Sequence, residues 1–160
     1  MHRAYLGLGS NQGDPVRQIR KAIRMLRHHP AVRVIRVSRL YRSEPVGHRD
    51  QPWFVNAACV IDTELAPRDL AAILRRIESA LGKAVAFPNG PRTIDLDLLM
   101  FDDQRLSSPD LLIPHPRFRD RRFVLVPLAE AAPDAVDPVS GGKIADLLRR
   151  CPDRSAVEPA

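Results

Sequence analysis

Asp95 and Asp97 stand two residues apart in Gly90-Pro91-Arg92-Thr93-Ile94-Asp95-Leu96-Asp97-Leu98-Leu99, a run that otherwise alternates like a strand. Side chains at i and i+2 of a strand share a face, with Cα atoms ~6–7 Å apart, so both carboxylates point the same way. Ile94, Leu96, Leu98 and Met100 are then expected on the other face, as core residues. Such a pair can bracket a divalent cation. Arg92, just ahead of the strand, is placed to meet the anionic oxygens that hard cations attract. These residue types suggest metal-dependent phosphate chemistry. On spacing alone a solvated strand face is the more ordinary reading of two such aspartates, so the assignment depends on the rest of the chain.

Other chemistries have less support. No Cys/His cluster has the spacing of a zinc site, and no Gly-x-x-x-x-Gly-Lys-Ser/Thr loop occurs to cradle phosphates. His115 lies between Pro114 and Pro116, a rigid setting that limits its orientation. The 160 residues fit one domain, 1–160, large enough to fold on its own core. Two cysteines, Cys59 in an apolar run and Cys151 near the C-terminus, do not make a secreted disulfide framework, and a cytoplasmic location is expected. The chain enters a strand pattern directly after Met1-His2-Arg3, and no apolar run approaches the ~18 residues of a membrane span. Lys and Arg exceed Asp and Glu by 25 to 19, a balance that favours anionic ligands or nucleic acid without choosing between them.

The elements that must position these residues follow from periodicity. Ala4 to Leu8 reads as a buried strand and Gly9 to Gly13 as a turn. Asp14 is placed to cap a helix that Pro15 opens. Val16, Ile19, Ile23 and Leu26 form its apolar stripe, and Arg17, Arg20, Arg24 and Arg27 its wet side, to about His28. Val32 to Tyr41 reads as one long strand, the polar stretch Arg42 to Pro52 as a loop, and Trp53 to Ile61 as a strand. Pro67 opens a second helix with the stripe Leu70, Ile73, Leu74, Ile77 and Leu81, and Gly82 stops it. After the aspartate strand come a short apolar piece, Leu111 to Ile113, a helix from Arg122 to about Ala131, and another from Ile144 to Arg150. The tail from about residue 151 is expected to fray. The order β-α-β-β-α-β predicts an α+β, ferredoxin-like sandwich: a four-stranded antiparallel sheet, two helices on one face, and added C-terminal helices.

With the motifs in this order, the chain closely resembles the 6-hydroxymethyl-7,8-dihydropterin pyrophosphokinases of folate biosynthesis. The likeness runs from Tyr5 to about Pro133. It is carried by Gly9-Ser10-Asn11, Tyr41-Arg42-Ser43-Glu44-Pro45-Val46-Gly47, Gln51 to Ala58, Arg76-Ile77-Glu78, Gly90 to Asp97, and Ile113-Pro114-His115 with Arg121 and Phe123. The resemblance implies transfer of the diphosphoryl group of ATP to the pterin hydroxymethyl, giving AMP, with two magnesium ions on Asp95 and Asp97. It implies that Arg92, His115 and Arg121 meet the ATP phosphates. Phe54 and Phe123 would sandwich the pterin, Asn56 would read its polar edge, and Ser43, Pro45 and Val46 would complete that edge. Adenosine would occupy an apolar slot of Leu98, Leu111 and Ile113, near Arg75 and Glu78. Relatives can carry an uncharged amide at the position of Arg75. They commonly bring a second cation and an indole to the loop spanning 83–89, where this chain has Lys83 alone; Lys83 is therefore expected to carry the loop's contribution to catalysis. Expected partners are small molecules acting on a monomer, with neither nucleic acid nor membrane. The same order of elements also belongs to RNA-recognition modules, the alternative reading. Neither Tyr5-Leu6-Gly7-Leu8 nor Thr93 to Met100 spells the base-stacking aromatics those modules use.

Overall fold

In the computed structural model, which describes residues 1–83 and 88–160, strands and helices follow the patterning closely. Strand β1 (His2–Ser10) turns into helix α1 (Pro15–His28), where Asp14 accepts from the Arg17 N–H at 3.1 Å and Pro15 fills the first helical turn. Strands β2 (Val32–Val37), β3 (Tyr41–Ser43) and β4 (Phe54–Thr63) follow, then helix α2 (Pro67–Ala80) and strand β5 (Asp95–Phe101). A small ribbon of β6 (Leu106–Ser107) and β7 (Leu112–Ile113) leads through a 3-10 turn at Phe118–Asp120 to helices α3 (Arg122–Ala131) and α4 (Ile144–Arg150), and finally to β8 (Val157–Pro159).

The main sheet has the order β5-β1-β4-β3-β8, with β2 also paired to β4, and its pairings are antiparallel. Residues 32–41, expected as one strand, are interrupted at Ser38 to Leu40. There the Ser38 N–H still donates to the Ala58 carbonyl at 2.9 Å, but Ser38 Oγ accepts from the Ala58 N–H at 2.9 Å and donates to the Arg39 carbonyl at 2.7 Å, so a side chain replaces the returning bond of the ladder. Taken as one interrupted strand, β2 and β3 complete the expected four-stranded ferredoxin-like sheet.

One face of the sheet gives Ala4, Leu6, Leu8, Ala57, Cys59, Ile61, Leu96 and Leu98 to a core with Ile19 and Leu26 of α1 and Leu70 and Leu74 of α2. The other gives Ala58, Val60, Leu99 and Met100 to a second core with Leu125 and Leu128 of α3 and Ile144 of α4. Met100 was expected beside Leu96 and Leu98. Opposite β1, however, Tyr5 pairs with Met100 and the next residue, Leu6, with Leu98, so Leu99 is an extra residue and the alternation inverts there.

The tail also departs from expectation. It does not fray, because Val157–Pro159 pairs antiparallel with Tyr41–Ser43 and covers what would otherwise be an open sheet edge. Next to the site, the wholly buried Asp137 pins the 3-10 turn to the segment after α3, accepting from Arg119 at 2.5 and 2.8 Å and from Ser140 Oγ at 2.7 Å. Burial pushes this carboxyl up, but the Arg119 and Ser140 hydrogen bonds outweigh it and bring it down to about 2. Among the described residues no helix is long and apolar enough to cross a membrane.

Candidate active site

The strand register explains why Asp95 and Asp97 open onto space. Gly9 of β1 stands opposite Asp95 and Gly7 opposite Asp97, so β1 raises no side chain beside either carboxylate. A Cβ on Gly9 would come within 3.1 Å of Asn56 Nδ2, and one on Gly7 within 3.4 Å of Leu99 Cδ1. This bare backbone floors a cavity of about 690 Å³, walled by the loops after β3 and α2 and by the residues around the start of α3.

At the acidic end, Lys83 Nζ lies 2.8 Å from Asp95 Oδ1, and Arg92 Nε 3.4 Å from Asp95 Oδ2. Burial and the neighbouring Asp95 charge push the Asp97 carboxyl up to about 6. The pair therefore carries negative charge that a divalent cation would relieve. Among the described residues no third His, Cys, Asp or Glu joins them. Two carboxylates beside open volume suit magnesium, which takes one or two carboxylates and completes its shell with water and phosphate oxygens. The donor set thus fits the ion.

His115 and Arg121 also line the cavity. The His115 backbone N–H donates to the Leu99 carbonyl at 2.8 Å, and its Nδ1 accepts from the Arg117 N–H at 3.3 Å, which leaves the proton on Nε2. Burial, then the charges of Arg121 and Arg117, lower the His115 pKa from 6.5 to about 4. Burial and Arg117 likewise lower that of Arg121. His115 is thus a neutral hydrogen-bond donor above pH ~5.

The sign of the stability effect follows. With its folded pKa depressed, neutral His115 contributes stability that is present above its unfolded pKa of 6.5 and lost as pH falls toward about 4. Wild type is therefore expected to lose stability over that window relative to His115→Asn, with a slope of up to ~1.4 kcal/mol per pH unit. Parallel unfolding curves from pH 7 to 4 would show that His115 titrates alike in both states.

At the other end, Ser43 Oγ donates to Asn56 Oδ1 at 2.5 Å. This occupies the acceptor side of the amide and leaves its NH2 over Gly9. Ser43, Val46, Phe54, Asn56 and Phe123 line this part of the same cavity. The loops that close it are tied to Asn11, whose Nδ2 donates to Gln51 Oε1 at 2.9 Å and whose Oδ1 accepts from the Arg92 N–H at 2.8 Å.

The sequence also pointed to Pro45, Arg75, Glu78, Leu98, Leu111 and Ile113, none of which lines this cavity. Leu98 and Ile113 are buried in the core beside α2, and Leu111 packs against it. Glu78, expected beside adenosine, is an internal anchor. It is almost wholly buried and accepts from Arg75 Nη1 at 2.5 Å, Lys83 Nζ at 3.0 Å and the Leu96 N–H at 2.8 Å. Arg75 Nη2 adds a 3.2 Å hydrogen bond to the Leu96 carbonyl, so two α2 side chains serve the outer edge of β5 as a neighbouring strand would. Residues 84–87 of the loop that was expected to close the site lie outside the described residues. The sequence reading missed Gly7, Arg117, Asp120 and Asp153 in the lining. Only the glycines had a usable signal: Gly7-x-Gly9 matches the spacing of Asp95-x-Asp97.

Residues 5–133 match the family model for 7,8-dihydro-6-hydroxymethylpterin-pyrophosphokinase. The chain is 45% identical to the 2-amino-4-hydroxy-6-hydroxymethyldihydropteridine pyrophosphokinase of Methylorubrum extorquens, covering 99% of this chain and 98% of that one. It is 44% identical to the Pseudomonas aeruginosa protein of the same name, over 95% and 93% of the two chains. Among solved structures it resembles a Plasmodium falciparum HPPK-DHPS with a TM-score of 0.73 at 16% identity, a likeness of fold. It covers 93% of this chain and spans 44% of that longer one.

Proposed function

As the chain belongs to the 7,8-dihydro-6-hydroxymethylpterin-pyrophosphokinase family, and so is an ATP-dependent enzyme transferring a pyrophosphoryl group to a dihydropterin in folate biosynthesis, we propose how its residues divide that work. Asp95 and Asp97 hold the magnesium, two ions in all, with Lys83 and Arg92 flanking Asp95. Phe54 and Phe123 stack on the pterin, while Asn56, Ser43 and Val46 read its edge and Pro45 holds the loop that presents them. The adenosine lies toward Arg75 and Leu111, with Leu98 and Ile113 supporting that side from within the core. The observation that carries this reading is the shared cavity: the carboxylate pair, His115 and Arg121, and the aromatic and amide groups all face one volume.

Magnesium bound there would neutralise charge on the triphosphate and hold it in place. Arg92 and Arg121 offer fixed guanidinium donors to phosphate oxygens, and His115 offers its Nε2 proton while remaining neutral. Phe54, Phe123 and Asn56 orient the heterocycle so that its hydroxymethyl oxygen meets the β-phosphorus. One bond forms between that oxygen and the β-phosphorus, the bond from the β-phosphorus to the α–β bridging oxygen breaks, AMP leaves with the electron pair, and the hydroxymethyl proton passes to a phosphate oxygen or to water. Alignment and charge neutralisation supply most of the rate, and no strong base has to act beforehand.

Asn56→Ala and Phe123→Ala are expected to weaken dihydropterin binding at least about tenfold, the scale of a lost buried hydrogen bond or stacking contact, with ATP affinity in the absence of pterin held within a few fold. Calorimetric titration distinguishes the outcomes, since an equal loss of ATP binding would make both residues supports of the fold. We place the protein in the cytoplasm, acting as a monomer on small molecules. Its two cysteines support that setting: both are buried and unpaired, and burial pushes the Cys59 thiol up to about 12.

A further inference from the structure

The C-terminal segment Pro152–Pro159 is fastened at two points, and these are the two walls of the proposed pterin slot. At the first, Asp153 Oδ2 accepts from the backbone N–H of Arg122 at 3.0 Å. Arg122 is the first residue of α3, and Arg121, at the capping position, makes no side-chain cap of its own. A carboxylate 31 residues away in sequence therefore satisfies one of the orphan donors of that helix end. Arg121 and Phe123, on either side of this hydrogen bond, both face the cavity. The other carboxylate oxygen of Asp153 is held by the Ser155 N–H at 2.9 Å and by the Ser155 hydroxyl.

At the second point, Val157–Pro159 is paired with Tyr41–Ser43. The contact extends one residue into the substrate loop. The Glu44 N–H donates to the Ala156 carbonyl at 3.1 Å, and Glu44 Oε1 accepts from the Ala156 N–H at 2.8 Å. Glu44 leads directly into Pro45 and Val46. Pro152 and Asp153 themselves line the cavity between the two attachments.

We propose that Pro152–Pro159 is a strut that sets the distance between the Phe123 wall and the Ser43–Val46 wall, with Asp153 as the positioning residue that makes the slot fit a flat dihydropterin. The proposal rests on the assignment of Phe123 and Ser43–Val46 to the pterin. The ring has to stack on Phe123 at van der Waals separation while its edge meets Ser43–Val46, whose strand pairs with that of Phe54, so a small outward drift of α3 loosens the fit without removing a contacting side chain.

The test is calorimetric titration of the full chain with 6-hydroxymethyl-7,8-dihydropterin in the presence of magnesium and a non-hydrolysable ATP analogue, and separately with the analogue alone. Asp153→Ala is expected to raise the dihydropterin Kd about tenfold, the scale of one lost helix cap, and to change analogue affinity less than about threefold. Asp153→Asn, which keeps an acceptor for the Arg122 N–H, should restore most of the affinity. Unchanged dihydropterin binding in Asp153→Ala, or an equal loss for both ligands, overturns the strut. Should Asp153→Ala fold poorly, Ser155→Ala removes only the hydroxyl's hold on the carboxylate and keeps the backbone N–H, and a loss of about threefold is expected there; no change overturns the proposal. Phe123→Ala run alongside separates the two levels. Normal dihydropterin binding by that variant would remove the pterin assignment itself, whereas weakened binding there with unchanged binding in Asp153→Ala would remove only the strut.

Discussion

Replacing Asp97 with alanine is expected to lower turnover by at least about a hundredfold at saturating magnesium, comparable with losing a strong preorganised electrostatic contact at the reacting centre. Asp95 already shares its oxygens with Lys83 and Arg92, so it cannot take over the whole of the ion's charge. Asp97 faces the same cavity with a carboxyl pushed up to about 6 by burial and by Asp95. Removing it relieves that repulsion, so the variant should be at least as stable as wild type while nearly inactive. Asp95→Ala should also lose about two orders of magnitude in turnover, for the same reason. Near-normal turnover for both variants at saturating magnesium would contradict the metal assignment. Protons compete with the ion for a carboxyl that titrates at about 6, so the magnesium needed for half-maximal rate should rise as pH falls through that value.

Glu78→Ala has the largest expected effect on stability, a loss of ~2–3 kcal/mol, because it removes a buried carboxylate shared by three donors and leaves a buried N–H without an acceptor. Here the Leu96 N–H loses its acceptor, while the Lys83 ammonium, bonded to the same Glu78 Oε2, is left with Asp95 alone. Leu96 lies between the two aspartates, so the same variant should also lose turnover as that stretch of β5 loosens. Arg75→Ala, by contrast, removes a half-exposed partner and should cost no more than ~1 kcal/mol. Urea unfolding of the two variants separates an anchor from a ligand. If Glu78→Ala keeps wild-type stability and loses only ATP affinity, Glu78 belongs to the nucleotide site.

Most of the frame was legible because it rests on local rules. Asp14 and Pro15 announced α1, Pro67 and Gly82 bounded α2, and the apolar spacings chose the buried stripes. Where the reading failed, a tertiary contact had overridden a local pattern. The Ser38 hydroxyl broke a strand whose Val and Ile content looked continuous. The bulge at Leu99 moved Met100 to the opposite core. Val157–Pro159 is too short to show a period and is ordered by the edge it covers.

The site divides in the same way. Asp95, Asp97, Arg92, His115, Arg121, Phe54, Asn56 and Phe123 sit in ordered motifs, and all of them reach the cavity. Glu78 carried its own warning, since it follows Leu74 and Ile77 on the buried stripe of α2, where a carboxylate must be paired internally. Asp153 gave none, because its partner is a backbone N–H far along the chain.

The most direct test of the account is incubation of the enzyme with ATP, magnesium and 6-hydroxymethyl-7,8-dihydropterin, with AMP resolved from ADP and the pterin product quantified. A cavity that aligns the hydroxymethyl oxygen with the β-phosphorus requires AMP matched one for one by pterin diphosphate, dependent on the pterin and abolished in Asp97→Ala. Formation of ADP with a pterin monophosphate, or AMP release indifferent to the pterin, would contradict it.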